Sequence, residues 1–192
     1  MKNTTEVVTG KVRFSYVNVF TPKASNNGGD PKYSVTLLIP KSDAATVQKI
    51  QQAMTAAAEN FRANNGQNSL PAKPQHTLYD GDGTRRNGDE FAPECKGHWV
   101  ITVTSKADRK PGVYDAFRND ILDPAEVYSG CYGRAHIRFY GYNTQGNKGI
   151  SAQLLGVQKL ADGEPLGGSV ATSSAFDDGF ADGDSDGSGW MQ

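Results

Sequence analysis

From Glu6 to Phe20 the chain reads Glu-Val-Val-Thr-Gly-Lys-Val-Arg-Phe-Ser-Tyr-Val-Asn-Val-Phe. Such a density of β-branched and aromatic residues predicts one long strand. Thr21 to Lys32 holds Pro22, Pro31 and the cluster Asn26-Asn27-Gly28-Gly29-Asp30, the chemistry of a flexible loop. Tyr33 to Ile39 reads as a second strand, stopped by Pro40. The period then changes. Val47, Ile50, Met54, Ala57 and Phe61 recur at three- and four-residue spacing, the stripe of an amphipathic helix over 42–64. Ser42 or Asp43 is placed to cap its start, and Asn64-Asn65-Gly66 to end it. Residues 66–96 are polar and rich in turn formers. Trp99 to Ser105 predicts a third strand, 106–130 a long connection, and 132–142 and 150–160 two more strands joined by 143–149 as a hairpin. Five strands, one inserted helix and long loops make a mainly β fold. The reading adopted is an OB-fold five-stranded barrel over residues 1–160, a pattern shared with other five-stranded barrels.

The strand over 132–142 alternates cleanly. Ala135, Ile137, Phe139 and Gly141 point one way, and Arg134, His136, Arg138, Tyr140 and Tyr142 the other. Guanidiniums pair with phosphates and phenol rings stack on bases of any identity. This face is therefore a candidate surface for single-stranded nucleic acid, against the plainer alternative of a solvated face with tyrosines covering the barrel. In the first strand Lys11 and Arg13 share one side, with Val12, Phe14 and Tyr16 on the other. Lys23, Lys32, Lys106, Arg109, Lys110 and Lys148 lie in or beside loops and would form an electrostatic funnel if those loops border a groove. Tyr33 and Trp99 each begin a strand and fit either the core or a stacking platform.

Charge sharpens this picture. The last 32 residues contain no Lys, Arg or His, and their seven acids carry −7. The whole chain sums to −1, so the first 160 residues carry +6, the difference. A basic body with an acidic tail points to nucleic-acid binding and an interaction tail. Residues 161–192 are small, polar and acidic, which predicts a disordered segment. Phe176, Asp177, Asp178, Phe180, Asp182, Asp184, Asp186 and Trp190 suit a docking peptide, steered by charge and anchored by rings.

Other chemistries fare worse. Asp80-x-Asp82-x-Thr84 opens like a calcium loop, but Arg85 and Phe91 stand where an EF-hand needs Gly and Glu. Cys95, His98, His76, Cys131 and His136 could ligate zinc, yet no CxxC pair exists and the spacings are irregular. Two cysteines make no disulfide framework. No phosphate-binding Gly-rich loop, nucleophile elbow or HExxH is present, and a two-metal nuclease needs carboxylates clustered in the folded body. No enzymatic activity, cofactor or metal is expected. No apolar run approaches the ~20 residues of a membrane span and the N-terminus lacks a signal-peptide core, so a cytoplasmic protein without a membrane partner is expected.

Several stretches, in order, carry a resemblance: Tyr33-Ser-Val-Thr-Leu-Leu-Ile-Pro-Lys41, Leu78-Tyr-Asp-Gly-Asp-Gly83, Ser105-Lys-Ala-Asp-Arg-Lys-Pro111, Val127-Tyr-Ser-Gly-Cys-Tyr-Gly-Arg-Ala135, Phe139-Tyr-Gly-Tyr142, Gly146-Asn-Lys-Gly-Ile150 and Leu155-Gly-Val-Gln-Lys159. Together they resemble a family of bacteriophage single-stranded-DNA-binding proteins over nearly the whole chain. The resemblance implies an OB-fold, binding of single-stranded DNA in phage replication and recombination, and an acidic tail that docks replication or recombination proteins and competes with DNA. Here the aromatic ending, Trp190-Met-Gln192, is slightly internal. The nucleic-acid-binding residues expected from the strand-face reading are Lys11, Arg13, Lys32, Tyr33, Trp99, Lys106, Arg109, Arg134, Arg138, Tyr140 and Tyr142. A protein-interaction adaptor with the barrel as scaffold is the alternative, and a homo-oligomer stays open.

Overall fold

The structure, a computed structural model, describes residues 4–26 and 28–167. The tail residues expected to dock a partner, Phe176, Asp177, Asp178, Phe180, Asp182, Asp184, Asp186 and Trp190, lie outside the described residues. Within them run β1 (Glu6–Val8), β2 (Val12–Lys23), β3 (Lys32–Pro40), α1 (Ala44–Asn65), β4 (Leu78–Asp80), β5 (His98–Lys106), β6 (Gly112–Tyr114), β7 (Tyr132–Thr144) and β8 (Asn147–Ala161).

Five of these strands close a ring. β2 pairs with β3, β3 with β5, β5 with β8, β8 with β7, and β7 with β2. They are the five strands read from periodicity, and the barrel is the OB-type closure expected. β5–β8 is parallel and the other ring pairings are antiparallel. The alternation of β7 holds: Ala135, Ile137 and Phe139 are buried among Phe14, Leu37, Ile101 and Leu154 inside the barrel. Each such large side chain contributes ~1.5–3 kcal/mol by leaving water. Closure depends on Gly133. A Cβ there would stand 2.6 Å from the Phe14 ring and 2.2 Å from the Gln158 carbonyl oxygen, so only glycine lets β2 cross β7 so closely.

α1 packs Ile50, Ala53 and Ala57 onto this core, with Val47, Met54 and Phe61 at the edge of the stripe. Asp43 is the cap: its Oδ1 accepts from the Thr46 N–H at 3.1 Å. At the other end the Gly66 N–H donates to the Arg62 carbonyl at 2.8 Å.

Four local expectations are corrected. The strand over 6–20 is two strands. β1 pairs Val8 with His136, while β2 pairs Val12 with Gly133, so the first chain carries one extra residue, a bulge. Gly10 turns there and donates its N–H to the Thr46 hydroxyl at 2.9 Å. Lys11 therefore sits in the bulge rather than on a strand. Tyr16 does not share the inward face with Phe14: its φ is +46°, the β2–β3 register shifts between Ser15 and Asn18, and the ring is 63% exposed. The hairpin loop is two residues, Gln145 and Gly146, both with positive φ, the conformation that suits strand twist. The body also extends past residue 160. β8 ends at Ala161, the Tyr128 hydroxyl donates to the Gly163 carbonyl at 2.9 Å, and the Leu166 N–H donates to the Ser129 carbonyl at 2.8 Å.

Candidate nucleic-acid interface

The outer face of β2, β3 and β5 is a floor of small hydroxyls. Register places Ser15 beside Thr36 and Thr36 beside Thr102, and likewise Ser34 beside Thr104. The Thr36 and Thr102 hydroxyl oxygens are 2.9 Å apart. Small side chains leave this strip low, and larger ones rise at both ends.

At one end a hollow of about 480 Å³ is lined by Tyr16, Tyr79, Arg85, Arg86 and Phe91 above Ser15, Thr36 and Thr102. Its wall stands on a second apolar cluster outside the barrel, Leu38, Phe91, Cys95 and Val100, against which Tyr79 and Leu166 pack. The Arg85 guanidinium lies 5.3 Å from the centroid of Phe91. At the other end a hollow of about 310 Å³ is lined by Lys32, Thr104, Lys106, Arg109, Tyr140 and Gln153. The Ser105 hydroxyl holds this turn by donating to the Arg109 carbonyl at 2.6 Å.

Electrostatics mark this second end. Lys23 pairs with Lys32 across β2–β3, and Lys32 with Lys106 across β3–β5. Three lysines thus stand in one row across three strands. Like charges directly opposite each other destabilise a sheet, and no ion pair relieves any of the three among the described residues. A polyanion would.

The structure divides the residues singled out from the sequence. Lys32, Lys106, Arg109 and Tyr140 come together in the hollow just described. Arg138 and His136 face outward as expected, but β1 brings Glu6 opposite Arg138. Glu6 accepts from the Arg138 Nε at 2.8 Å and Nη2 at 2.5 Å, and lies 3.2 Å from the His136 Nε2. The Arg138 hydrogen bonds hold the Glu6 carboxyl below its ordinary pKa, against the raising effect of burial. Arg134 donates from Nε to the Thr9 carbonyl and lies with His136 in a separate hollow of the β7–β8 wall. Arg13 is occupied as a strap: it donates to the carbonyls of Gly130 and Glu164 at 3.1 and 2.6 Å and, like Lys11, lies over Tyr132. Tyr33 is buried on the side of Val35 and Leu37, so its ring is not an open platform. Trp99 packs at the edge of the main core with the Lys41 ammonium over it. Tyr142 faces Gly149 near the hairpin.

Sequence reasoning missed the aromatic end: Tyr16, Tyr79, Arg85 and Phe91. The alternation of Ser34 and Thr36 with Val35 and Leu37 was a usable signal for the floor. Nothing local announced that residues 79–91 would fold over it. The Asp80/Asp82 pair is a structural turn, since Lys41 bridges both carboxylates at 2.5 and 2.6 Å. That contact lowers both acids' pKa values and raises that of the lysine. Both cysteines are buried free thiols whose pKa values burial pushes up. Among the described residues no three His, Cys, Asp or Glu side chains gather as a metal site, and no helix is long and apolar enough to cross a membrane.

Comparison with known proteins places the chain in a family. Residues 5–186 match the family described as Enterobacter phage Enc34, ssDNA-binding protein. Protein p50 of Acyrthosiphon pisum secondary endosymbiont phage 1 is 32% identical over 174 residues, 87% of this chain and 90% of that protein. The fold superposes on the single-stranded DNA-binding protein from bacteriophage Enc34 in complex with ssDNA with a TM-score of 0.68 and 32% identity, covering 85% of this chain and 90% of that one. It also resembles gp2.5, a single-stranded DNA binding protein encoded by bacteriophage T7, at a TM-score of 0.54 and 17% identity over 93% of this chain and 96% of that one. The last is a likeness of fold.

Proposed function

The chain belongs to the phage Enc34 single-stranded-DNA-binding family, and on that premise we propose that its barrel binds single-stranded DNA without sequence preference along the β2–β3–β5 face. The observation that carries this is the row Lys23–Lys32–Lys106, three opposed cations with no ion pair among the described residues, continued by Arg109. Phosphates relieve that repulsion and release their counterions. The exposed rings of Tyr16 and Tyr140, with the half-buried Tyr79 at the far hollow, give bases surfaces to stack on at ~1–3 kcal/mol each. Stacking accepts every base, and a duplex hides the faces it needs, so single strands are preferred.

The protein acts by binding, in phage DNA replication and recombination in the host cytoplasm, coating exposed strands. Its acidic tail recruits replication or recombination proteins. Support for a second role of the tail comes from where the strap leads. Leu166 packs on the cluster that walls the aromatic hollow, so the five acids that follow it in the chain, carrying −5, are tethered from beside the groove and compete with DNA for it.

The test is a fluorescence titration of the full chain with a labelled oligo-dT, against the matching duplex, across a salt series. Salt-sensitive binding to the single strand with little to the duplex is expected. Absence of single-strand binding by both the full chain and a chain ending at Ala175 would overturn the proposal. Removing residues 176–192 raises affinity at low salt if the tail competes, and unchanged affinity there refutes the competition alone.

A further inference from the structure

The aromatic hollow is closed on one side. Along the outer face, the pair Lys32–Lys106 is followed by Ser34–Thr104 and then by the row Ser15–Thr36–Thr102. The next outward row is Arg13–Leu38–Val100. There Leu38 and Val100 are buried in one cluster with Phe91 and Cys95, and Arg13 is held in its strap. Ser15, Thr36 and Thr102 are therefore the last open row of the floor, and the hollow stands over them against a wall.

That wall is braced. The Arg85 N–H donates to the Asp89 carbonyl at 2.7 Å, the Asn87 side chain to the Asp89 carboxylate at 2.6 Å, and the Gly81 N–H to the His98 carbonyl at 2.9 Å. A site already ordered loses little freedom when it fills. Its volume of about 480 Å³ falls within the ~300–1,000 Å³ of pockets that hold small ligands.

The floor of the hollow carries polar groups that the fold does not use. Ser15 is 4% exposed and Thr36 8%. The Ser15 hydroxyl has no hydrogen-bond partner among the described residues, and Ser15 lines the hollow. An unpartnered hydroxyl at a buried position is unfavourable for folding, and an alanine would serve the sheet as well. The Thr36 and Thr102 hydroxyls, 2.9 Å apart, can donate in either direction. One O–H is used within the pair, which leaves one donor beside free acceptor lone pairs. Turning the shared bond round exchanges their places.

This is the complement of a base edge. Thymine and guanine present a carbonyl beside an N–H, and cytosine and adenine present an amino group beside a bare ring nitrogen. A reversible hydroxyl pair answers both orders, whereas a carboxylate or a guanidinium selects one. Three residues on three adjacent strands span about 10 Å, the scale of one base. Given the single-strand binding proposed above, we propose that this hollow takes one unpaired base of the strand edge-first. Its Watson–Crick edge rests on Ser15, Thr36 and Thr102, and one face lies against Tyr16. In a duplex that edge is already bonded to the opposite strand, so the hollow rejects paired DNA by the edge as well as by the ring face. The hydroxyls make the contact indifferent to base identity.

Fluorescence titration of the full chain with labelled oligo-dT, and with an N3-methylthymidine strand of equal length, tests this. The methyl group blocks the edge and leaves the phosphates unchanged. The parent should bind oligo-dT about fivefold or more tighter, the worth of one net hydrogen bond, at equal salt slopes. Ser15→Ala should weaken oligo-dT binding about fivefold, and Thr36→Val with Thr102→Val at least as much. Both variants should bind the N3-methyl strand as the parent does, and should lose as much on oligo-dA and oligo-dC as on oligo-dT. Ser15→Ala should keep or raise the melting temperature, which loss of a hydroxyl that served the fold would lower. Equal parent affinity for the two strands, variants that lose as much on the N3-methyl strand, or a loss confined to one base would overturn the proposal. Parent binding to oligo-dT with no preference over the N3-methyl strand sinks the edge contact alone, whereas no binding to either sinks the groove reading and this with it.

Discussion

Replacing Lys106 and Arg109 together by alanine asks whether the groove cations neutralise phosphates. Lys23, Lys32, Lys106, Arg109, Arg85 and Arg86 stand along the β2–β3–β5 face or its ends without an ion pair among the described residues. If each neutralises one phosphate, log affinity falls against log salt with a slope of about −4, at ~0.7 per contact for single strands. Removing two contacts flattens the slope by about 1.4. Extrapolated to 0.1 M salt, each contact supplies about 0.7 of a decade, so the double variant binds about 25-fold more weakly there and converges on the parent toward 1 M.

The assay is fluorescence anisotropy with oligo-dT at four or five salt concentrations, on the parent, the double variant and Arg134→Ala. Lys106 and Arg109 are exposed and their backbone turn is held by Ser105, so thermal unfolding should be unchanged. Arg134 lies in the β7–β8 hollow and should leave the slope alone. A double variant that keeps the parent slope would refute the groove assignment. So would an Arg134→Ala variant that flattens the slope as much, since the phosphates would then run along β7.

Tyr16→Gly should remove a stacking ring without strain, because glycine tolerates the positive φ that Tyr16 adopts. Affinity should fall by ~1–3 kcal/mol at an unchanged salt slope, read in the same titration, while the melting temperature moves little. Gly133→Ala should destabilise by ~1–3 kcal/mol through overpacking against Phe14 and the Gln158 carbonyl, seen as a melting temperature several degrees lower. Glu6 gives a pH dependence. Its folded pKa is lowered, first by Arg138, so its contribution is present above the unfolded carboxylate range and is lost as pH falls through the folded value. Glu6→Gln should lower stability at pH 7 by about 1 kcal/mol and less toward pH 3, which melts across that range would show.

The ring of the barrel was legible because its five strands are dense in β-branched and aromatic residues between turn formers, β7 with clean alternation as well, and α1 because its stripe has the helical period. β4 and β6 were not legible. Each is three residues long and is ordered by its neighbour, β4 by β5 and β6 by β8. The break at Gly10 was hidden for a related reason: it exists because the α1 N-terminus docks there, and nothing near Gly10 in sequence says so. Tyr16 was misplaced because a bulge reverses the side on which every later residue of a strand falls.

The same logic governs the site. Alternation correctly put Arg134, His136 and Arg138 on one exposed face, but exposure is not availability. What a cation can do for a phosphate depends on the residue paired across from it, and cross-strand register is non-local. Register gave Arg138 a carboxylate in Glu6 and gave Lys32 two further lysines. The guanidinium with the stronger local signal is thereby neutralised, and Lys32, expected only as part of a funnel of loop-side cations, is the one left opposite like charges. A ligand phosphate approaching Arg138 must compete with the Glu6 carboxylate already bonded to it, whereas one approaching the lysine row removes a repulsion already present. That difference in what binding relieves, rather than the number of basic residues on either face, is the ground on which the β2–β3–β5 groove is proposed.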